Sequence, residues 1–296
     1  MEKDNKGQRM AFLISAYTEP KSLHALIRKL DHMLEADFFV HIDLKVDEQP
    51  FRCGLDDLPN VSFIKARVRV YWGGYSQVKM QMAMIKAMLL SNVRYTRVIN
   101  LTGTDYPVAG KRTLVEKLGN TQIEYISGFD IGREPKSKKG RMEEKYSYFY
   151  YMDSHRFIRG AIKRLRIPRL SYRKSHMPMY FGSEYWALTY DCIKELYWSY
   201  LKNETLQRLL RYSFVPSETW IHTLFFNSKW SDRAIQKPSV ACTDLIALSP
   251  VTYFKYEKKI KILDENDYDD IMNSKRLFAR KIIVGKSDKL ITMLPA

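Results

Sequence analysis

The sequence predicts an α/β protein with a mostly parallel central sheet flanked by helices. Three observations predict it. Short apolar runs alternate with helix-period segments through the first 126 residues, the rhythm that parallel strands joined by crossover helices require. The chain has 296 residues, 45% apolar and 13% aromatic, enough to bury a sizeable core. Neither a repeat nor a low-complexity linker divides it, so one continuous domain over residues 1–296 is expected.

MAFLISAY (10–17) and FFVHID (38–43) read as buried strands around an amphipathic helix, LHALIRKLDHML (23–34). VSFIK (61–65) is a further short strand, and VKMQMAMIKAMLLS (78–91) is a strong helix with Ser76 as its N-cap. RVINLTG (97–103) and QIEYIS (122–127) are the next strands, which completes a first part over 8–128. From 129 to 178 the chain becomes basic and tyrosine-rich, an insertion whose run FIRGAIKRLRIPRLSYRK (157–174) has no acid. Order returns in 179–296: MYFGSEYWALTYDCIKELYW (179–198) reads as strand, turn and helix. Helix signals follow at 218–228, with a late segment from Ile271 to Ile283.

The formal net charge of +16 gives a surface potential that favours phosphates, whether of nucleic acid, anionic lipid or a nucleotide diphosphate. The rival function is a basic, non-catalytic nucleic-acid-binding protein, since the charge and 20 tyrosines suit stacking on single strands. Against it, no helix-turn-helix, zinc or RRM signature is visible and acids at strand ends repel phosphate, so a nucleic-acid partner is not expected. The polar N-terminus and the lack of a long apolar run predict neither a signal peptide nor a membrane anchor. Cys53, Cys192 and Cys242, odd in number and far apart, suit reduced thiols in a cytoplasmic protein. The basic run 157–174 reads as a solvated face, as a patch on the inner face of an anionic membrane, or as a nucleic-acid contact.

In parallel sheets, ligands sit beyond the carboxyl ends of the strands, so the residues there carry the candidate chemistry. His41-Ile-Asp43 follows one strand; Asp43 can hold a ribose hydroxyl or a base edge, or merely cap a turn. Two ligands without a third give no metal site, and no CxxC or HExxH occurs. Tyr71-Trp72-Gly73-Gly74-Tyr75-Ser76 lets the backbone approach a ligand closely beside stacking rings. Thr102-Gly103-Thr104-Asp105 is another glycine turn carrying an acid past a strand end. In VPSETWIHTLFFNS (215–228), Ser217 reads as an N-cap and Glu218 as a first-turn acid. Asp267-Tyr268-Asp269 spells DxD but sits in ILDENDYDDIM and reads as a helix start.

Together LISAYTEP, VHIDLK, VYWGGYSQV, INLTGTDYP, YFGSEYWALT, PSETWIHT and RLFARK resemble glycosyltransferase family 14, in that family's order. The family comprises the core-2 and I-branching β-1,6-N-acetylglucosaminyltransferases and the protein xylosyltransferases; this chain resembles its short, soluble bacterial members. The resemblance implies a GT-A fold, a UDP-sugar donor, a glycan or lipid-linked glycan acceptor, inversion at the anomeric carbon and no metal cofactor. It makes 8–128 the nucleotide-binding half and 179–296 the acceptor and catalytic half. By motif, Glu218 matches the catalytic base, Asp43 the nucleoside contact, Trp72 and Gly73 the donor-side turn, and Asp105 the turn lining the donor site. Lys281 matches a lysine that neutralises the donor diphosphate; its neighbour Arg280 is the other candidate, and since adjacent side chains diverge, one of the two is expected to reach the phosphates. Two departures stand out. Ser217 replaces the usual acid before the base, and VTYFKYEKKIK (251–261) lacks the family's second diphosphate-binding Arg, which leaves Lys255 or Lys258 to take its role. Glu124 and Arg141, through IEYIS and GRMEEKY, map to the acceptor-binding pair.

Overall fold

The computed structural model describes residues 8–133, 136–169, 177–237 and 246–295, the side chains of 136–141 and 156 excepted. At its centre β1 (Met10–Ala16) pairs in parallel with β2 (Ala36–Ile42) on one side and β4 (Arg97–Thr102) on the other. β3 (Val61–Phe63) extends the sheet beyond β2, and β8 (Ala187–Thr189) closes it antiparallel to β4, giving the order β3-β2-β1-β4-β8. This is the mostly parallel, helix-flanked sheet expected of the GT-A type.

β1 is apolar except at Ser15 because helices cover both faces of the sheet. Its alternate residues divide between two cores with the period of two that a strand imposes. Met10, Phe12, Ile14 and Ala16 join one core, and Ala11 and Leu13 the other. Helix α1 (Pro20–Met33) covers the first face with Leu23, Leu26, Ile27, Leu30 and Met33, one stripe at helical spacing. A proline at its first turn costs nothing there, since that N–H has no partner within the helix. The helix Ser76–Leu90 covers the second face through Val78, Met84, Ile85 and Met88.

A second sheet joins β5 (Asp105–Pro107), β10 (Phe278–Arg280) and β9 (Thr252–Phe254), with β10 antiparallel to β5 and parallel to β9. β6 (Gly128–Asp130) and β7 (Tyr180–Gly182) form an antiparallel pair. The basic insertion therefore leaves and re-enters the body at adjacent points. It carries the helices Lys136–Ser147 and Arg156–Leu165.

The structure corrects several expected elements. Residues 122–127 are not a strand: Glu124 and Tyr125 make one bridge each, to Ala234 and Ala187, and regular pairing starts only at Gly128. Residues 179–198 hold two strands, β7 and β8, before the helix Tyr190–Lys202. Ser76 is the first helical residue rather than the cap; its hydroxyl instead accepts from Tyr71 N–H (2.9 Å) and donates to Asp153 (2.6 Å). Asp267 does stand at a helix start: it closes a capping box with Asp264 over the 3₁₀ turn Glu265–Asp267, which runs directly into the helix Tyr268–Asn273. Cys192 is buried and unpaired and Cys53 exposed and unpaired, while Cys242 lies outside the described residues. Among the described residues no helix is long and apolar enough to cross a membrane.

Candidate active site

A cleft of about 400 Å³ opens where the strand order reverses, between β1 and its neighbours β2 and β4. The register brings Ser15 opposite both His41 and Thr102, and all three line the cleft. Asp43, Trp72, Glu218, Arg280 and Lys281 line it as well, so five of the residues selected from the sequence converge.

Asp43 caps a turn, one of the two roles considered for it, and also lines the cleft. Its Oδ1 accepts from the Lys45 backbone N–H at 2.9 Å, an Asx turn, while Lys45 Nζ stands 3.3 Å from Oδ2. His41 accepts from Val68 N–H through Nε2 (2.8 Å), so the ring is neutral with its proton on Nδ1. Burial holds its pKa down at about 4.

Gly73 has a left-handed backbone (φ 74°), and a Cβ there would sit 2.7 Å from the Phe214 ring. Either fact alone favours glycine. The Gly73 carbonyl accepts from Val215 N–H (2.9 Å), which ties the aromatic turn to the segment carrying Glu218. Val215 is itself left-handed (φ 54°), a conformation that costs a β-branched residue about 1–2 kcal/mol. That geometry forces the chain into one 3₁₀ turn, Pro216–Glu218, before the helix Trp220–Phe226. Ser217 is therefore not an N-cap; its hydroxyl is buried without a hydrogen bond. Trp72 rests edge-on against Phe214 (5.4 Å) and is 69% exposed at the rim.

Glu218 projects into the cleft from this braced turn, with Lys145 and Glu184 as its charged neighbours. Burial above all pushes its pKa up to about 8, against the opposing pull of Lys145 and with a smaller rise from Glu184. Four residues on, His222 is fully buried, and burial lowers its pKa to about 3, so no positive charge stands behind Glu218. The helix is anchored from beneath, since the Trp220 indole donates to Gln81 of the sheet-covering helix at 2.6 Å.

Across the cleft, Arg280 ends β10 with its guanidinium 5.1 Å from the Tyr185 ring and Nε 3.7 Å from Asp105 Oδ1. Asp105 is thus not a lining residue; it is buried behind Arg280, and burial raises its pKa to about 6. Alternation along a strand would turn adjacent side chains apart, yet Arg280 and Lys281 both line the cleft. The reason is that Lys281 lies past the end of β10, where alternation no longer holds. Burial, together with Arg280 and Lys259, lowers the Lys281 pKa.

Three selections from the sequence are corrected. Lys255 is held by Asp270 (3.0 Å) and Asp267 (3.3 Å), away from the cleft. Lys258 is exposed in the turn between the bridged residues Tyr256 and Ile260 and does not line the cleft either. That segment supplies wall instead, through Phe254, Tyr256 and Ile260. Glu124 is sealed inside, 3.4 Å from Arg97, and accepts from Thr189 N–H at 2.7 Å. Both members of that pair are fully buried, which leaves no route to an acceptor. We expect Arg97→Met to destabilise the fold by about 3–5 kcal/mol, because it strands a buried carboxylate. Thermal unfolding checks this; ligand affinity in the cleft should change little. Arg141 lies in the helix Lys136–Ser147, but its side chain is outside the described residues.

Glu184 and Lys145 were not selected from the sequence. Glu184 follows β7, so the strand-end rule would have found it had β7 been separated from β8. It lines the cleft, and burial raises its pKa. Lys145, inside the basic insertion, carries no such signal. Among the described residues no three of His, Cys, Asp and Glu converge as a metal-ligand set.

The family model for the Core-2/I-branching enzyme matches residues 10–262. The chain belongs to the Core-2/I-branching enzyme family. Among its relatives, the xylosyltransferase oxt of Drosophila melanogaster is 27% identical over 236 residues, covering 76% of this chain and 25% of that protein. The human N-acetyllactosaminide β-1,6-N-acetylglucosaminyl-transferase is 23% identical over 304 residues, covering 95% of this chain and 70% of that protein. This chain thus spans a quarter of the insect protein's length. Among solved structures, the bifunctional glycosyltransferase WbbM overlaps 95% of this chain and 46% of its own at 14% identity and a TM-score of 0.38, too loose an overlap to carry an argument.

Proposed function

We propose that this chain is an inverting glycosyltransferase that moves a sugar, GlcNAc, from a UDP-sugar to a hydroxyl of a glycan or lipid-linked glycan in bacterial surface-polysaccharide assembly. The observation that carries the reading is a single cleft lined both by two carboxylates that burial raises, Glu218 and its neighbour Glu184, and by two cations, Arg280 and Lys281. Inversion is a single displacement. The base takes the acceptor proton as the acceptor oxygen attacks the anomeric carbon, and the bond to the diphosphate breaks on the opposite face. Glu218 is that base, and its high proton affinity makes it competent near neutral pH. Arg280 and Lys281 meet the charge that develops on the leaving diphosphate, fixed in a water-poor site where such charges act most strongly. Asp43 and the Trp72–Gly73 turn hold the nucleoside end. Asp43, Asp105 and Asp267 each have a basic partner, Lys45, Arg280 and Lys261 respectively, which supports a donor site that works without a metal. Xylose is the second reading for the donor sugar, favoured by the match to the insect xylosyltransferase.

The pH dependence tests the mechanism. A base works ionised, so kcat/KM for transfer should rise with pH until Glu218 has lost its proton near pH 8. It should fall again as Lys281 loses its charge, below the ordinary lysine range. A profile flat from pH 5 to about 8 would contradict the assignment, because an ordinary carboxylate titrates near pH 4.3.

A further inference from the structure

The helix Arg156–Leu165 disposes of its apolar residues in an unusual way. Its sequence RFIRGAIKRL places Phe157, Ala161 and Leu165 along one line with Ile158 beside them, and Arg159, Lys163 and Arg166 on the opposite side. The apolar side faces solvent. Phe157 is 68% exposed, Ile158 50% and Leu165 69%, and Ile167 just beyond is 42% exposed. The helix Glu204–Arg211 is just as two-faced and does the reverse, burying Leu206, Leu209 and Leu210 to 3% exposure or less. Ordinary packing explains the second helix and not the first.

Charge decides what covers the exposed face. Between Asp153 and Glu184 the chain has eight Lys and Arg and no acid. A second copy of the chain meeting this face about a two-fold axis would set like charges against each other. Nucleic acid matches the charge, and a base can stack on Phe157, but it gains nothing from Ile158, Leu165 and Ile167, the aliphatic side chains that make up the rest of the face. An anionic bilayer matches both, with the apolar side chains entering at headgroup depth and the bases pairing with lipid phosphates.

The position fits as well. Lys163 lies 5.9 Å from the Phe214 ring, and Phe214 supports Trp72 at the mouth of the cleft. We propose that the Arg156–Leu165 helix and Ile167 form a docking surface for an anionic lipid bilayer, which sets the mouth of the cleft close to the membrane. The inference stands without the sugar-transfer reading; combined with it, it specifies an acceptor presented at a lipid surface.

Vesicle co-sedimentation of the whole chain, with no nucleotide sugar present, tests it. Vesicles of phosphatidylcholine with phosphatidylglycerol should retain the protein about tenfold or more better than phosphatidylcholine alone, and added salt should weaken that retention. Phe157→Ser with Leu165→Ser should lower the partition about tenfold or more, since burying one such side chain is worth at least that factor. Lys163→Gln with Arg164→Gln should lower it similarly. Phe157 and Leu165 are exposed, so the melting temperature of the serine variant should match the parent's. Equal retention with and without phosphatidylglycerol, or full retention of the serine variant, would overturn the proposal. So would a dimer by light scattering that the serine variant splits without any vesicle binding, or a single-stranded oligonucleotide bound equally by parent and serine variant.

Discussion

Glu218→Gln is expected to lower turnover about a thousandfold while leaving UDP affinity within about twofold, the loss that follows removal of a general base. Glutamine keeps the size and shape of the side chain, so the turn fixed by Val215 and Gly73 should hold, and the Asp43 end of the cleft is untouched. The same change should stabilise the fold. Burial holds the Glu218 pKa at about 8, above that of an unfolded glutamate, so its contribution to stability is complete at low pH and is lost as pH rises through about 8. Glutamine has no such loss. The variant should therefore melt several degrees higher than the parent at pH 7 to 8, a difference of roughly 1–3 kcal/mol, and the two should converge below about pH 4. An inactive variant with a lower melting temperature at pH 8 would mean that the carboxylate is structural. Activity lost together with stability gained is the signature of a group held ready for chemistry at the expense of the fold.

Lys281→Met should be the second large effect, about a hundredfold or more in kcat with a smaller change in KM. A charge that acts on the departing diphosphate is needed more in the transition state than in the bound substrate. Lys281 is the cleaner probe of the pair. Arg280 also covers Asp105, which is buried beneath it, so Arg280→Met strands a carboxylate and couples any catalytic loss to about 3–5 kcal/mol of stability. Steady-state kinetics at saturating donor, alongside thermal melts, separate the two variants. Equal activity of Lys281→Met and parent would move the stabilising role to Arg280 alone.

The first half of the chain was legible because its signals are local and periodic. β1, β2, β4 and the two covering helices lie within three residues of their expected limits, and the strand-end rule then led directly to Asp43 and the Trp72 turn. The failures come from residues whose meaning is set by distant partners. Glu124 has the look of an available acid, but Arg97 and Thr189 claim it from 27 and 65 positions away. Lys255 is claimed by Asp267 and Asp270 in the same manner. Glu184 was missed for a different reason: two three-residue strands separated by a short turn merge into one apolar run when read along the sequence. Seven motifs in order pointed to the family, and they did so more surely than any one of them pointed to a role.

The central claim is that this cleft activates a UDP-sugar through its own cations and a single base. The most direct measurement is UDP release from a panel of UDP-sugars in the presence of EDTA, with water as acceptor, comparing parent and Glu218→Gln. Slow release from one member of the panel, UDP-GlcNAc foremost, that survives EDTA and disappears in the variant is the predicted result. Release from no UDP-sugar, or release that stops with EDTA and returns with manganese, would contradict it.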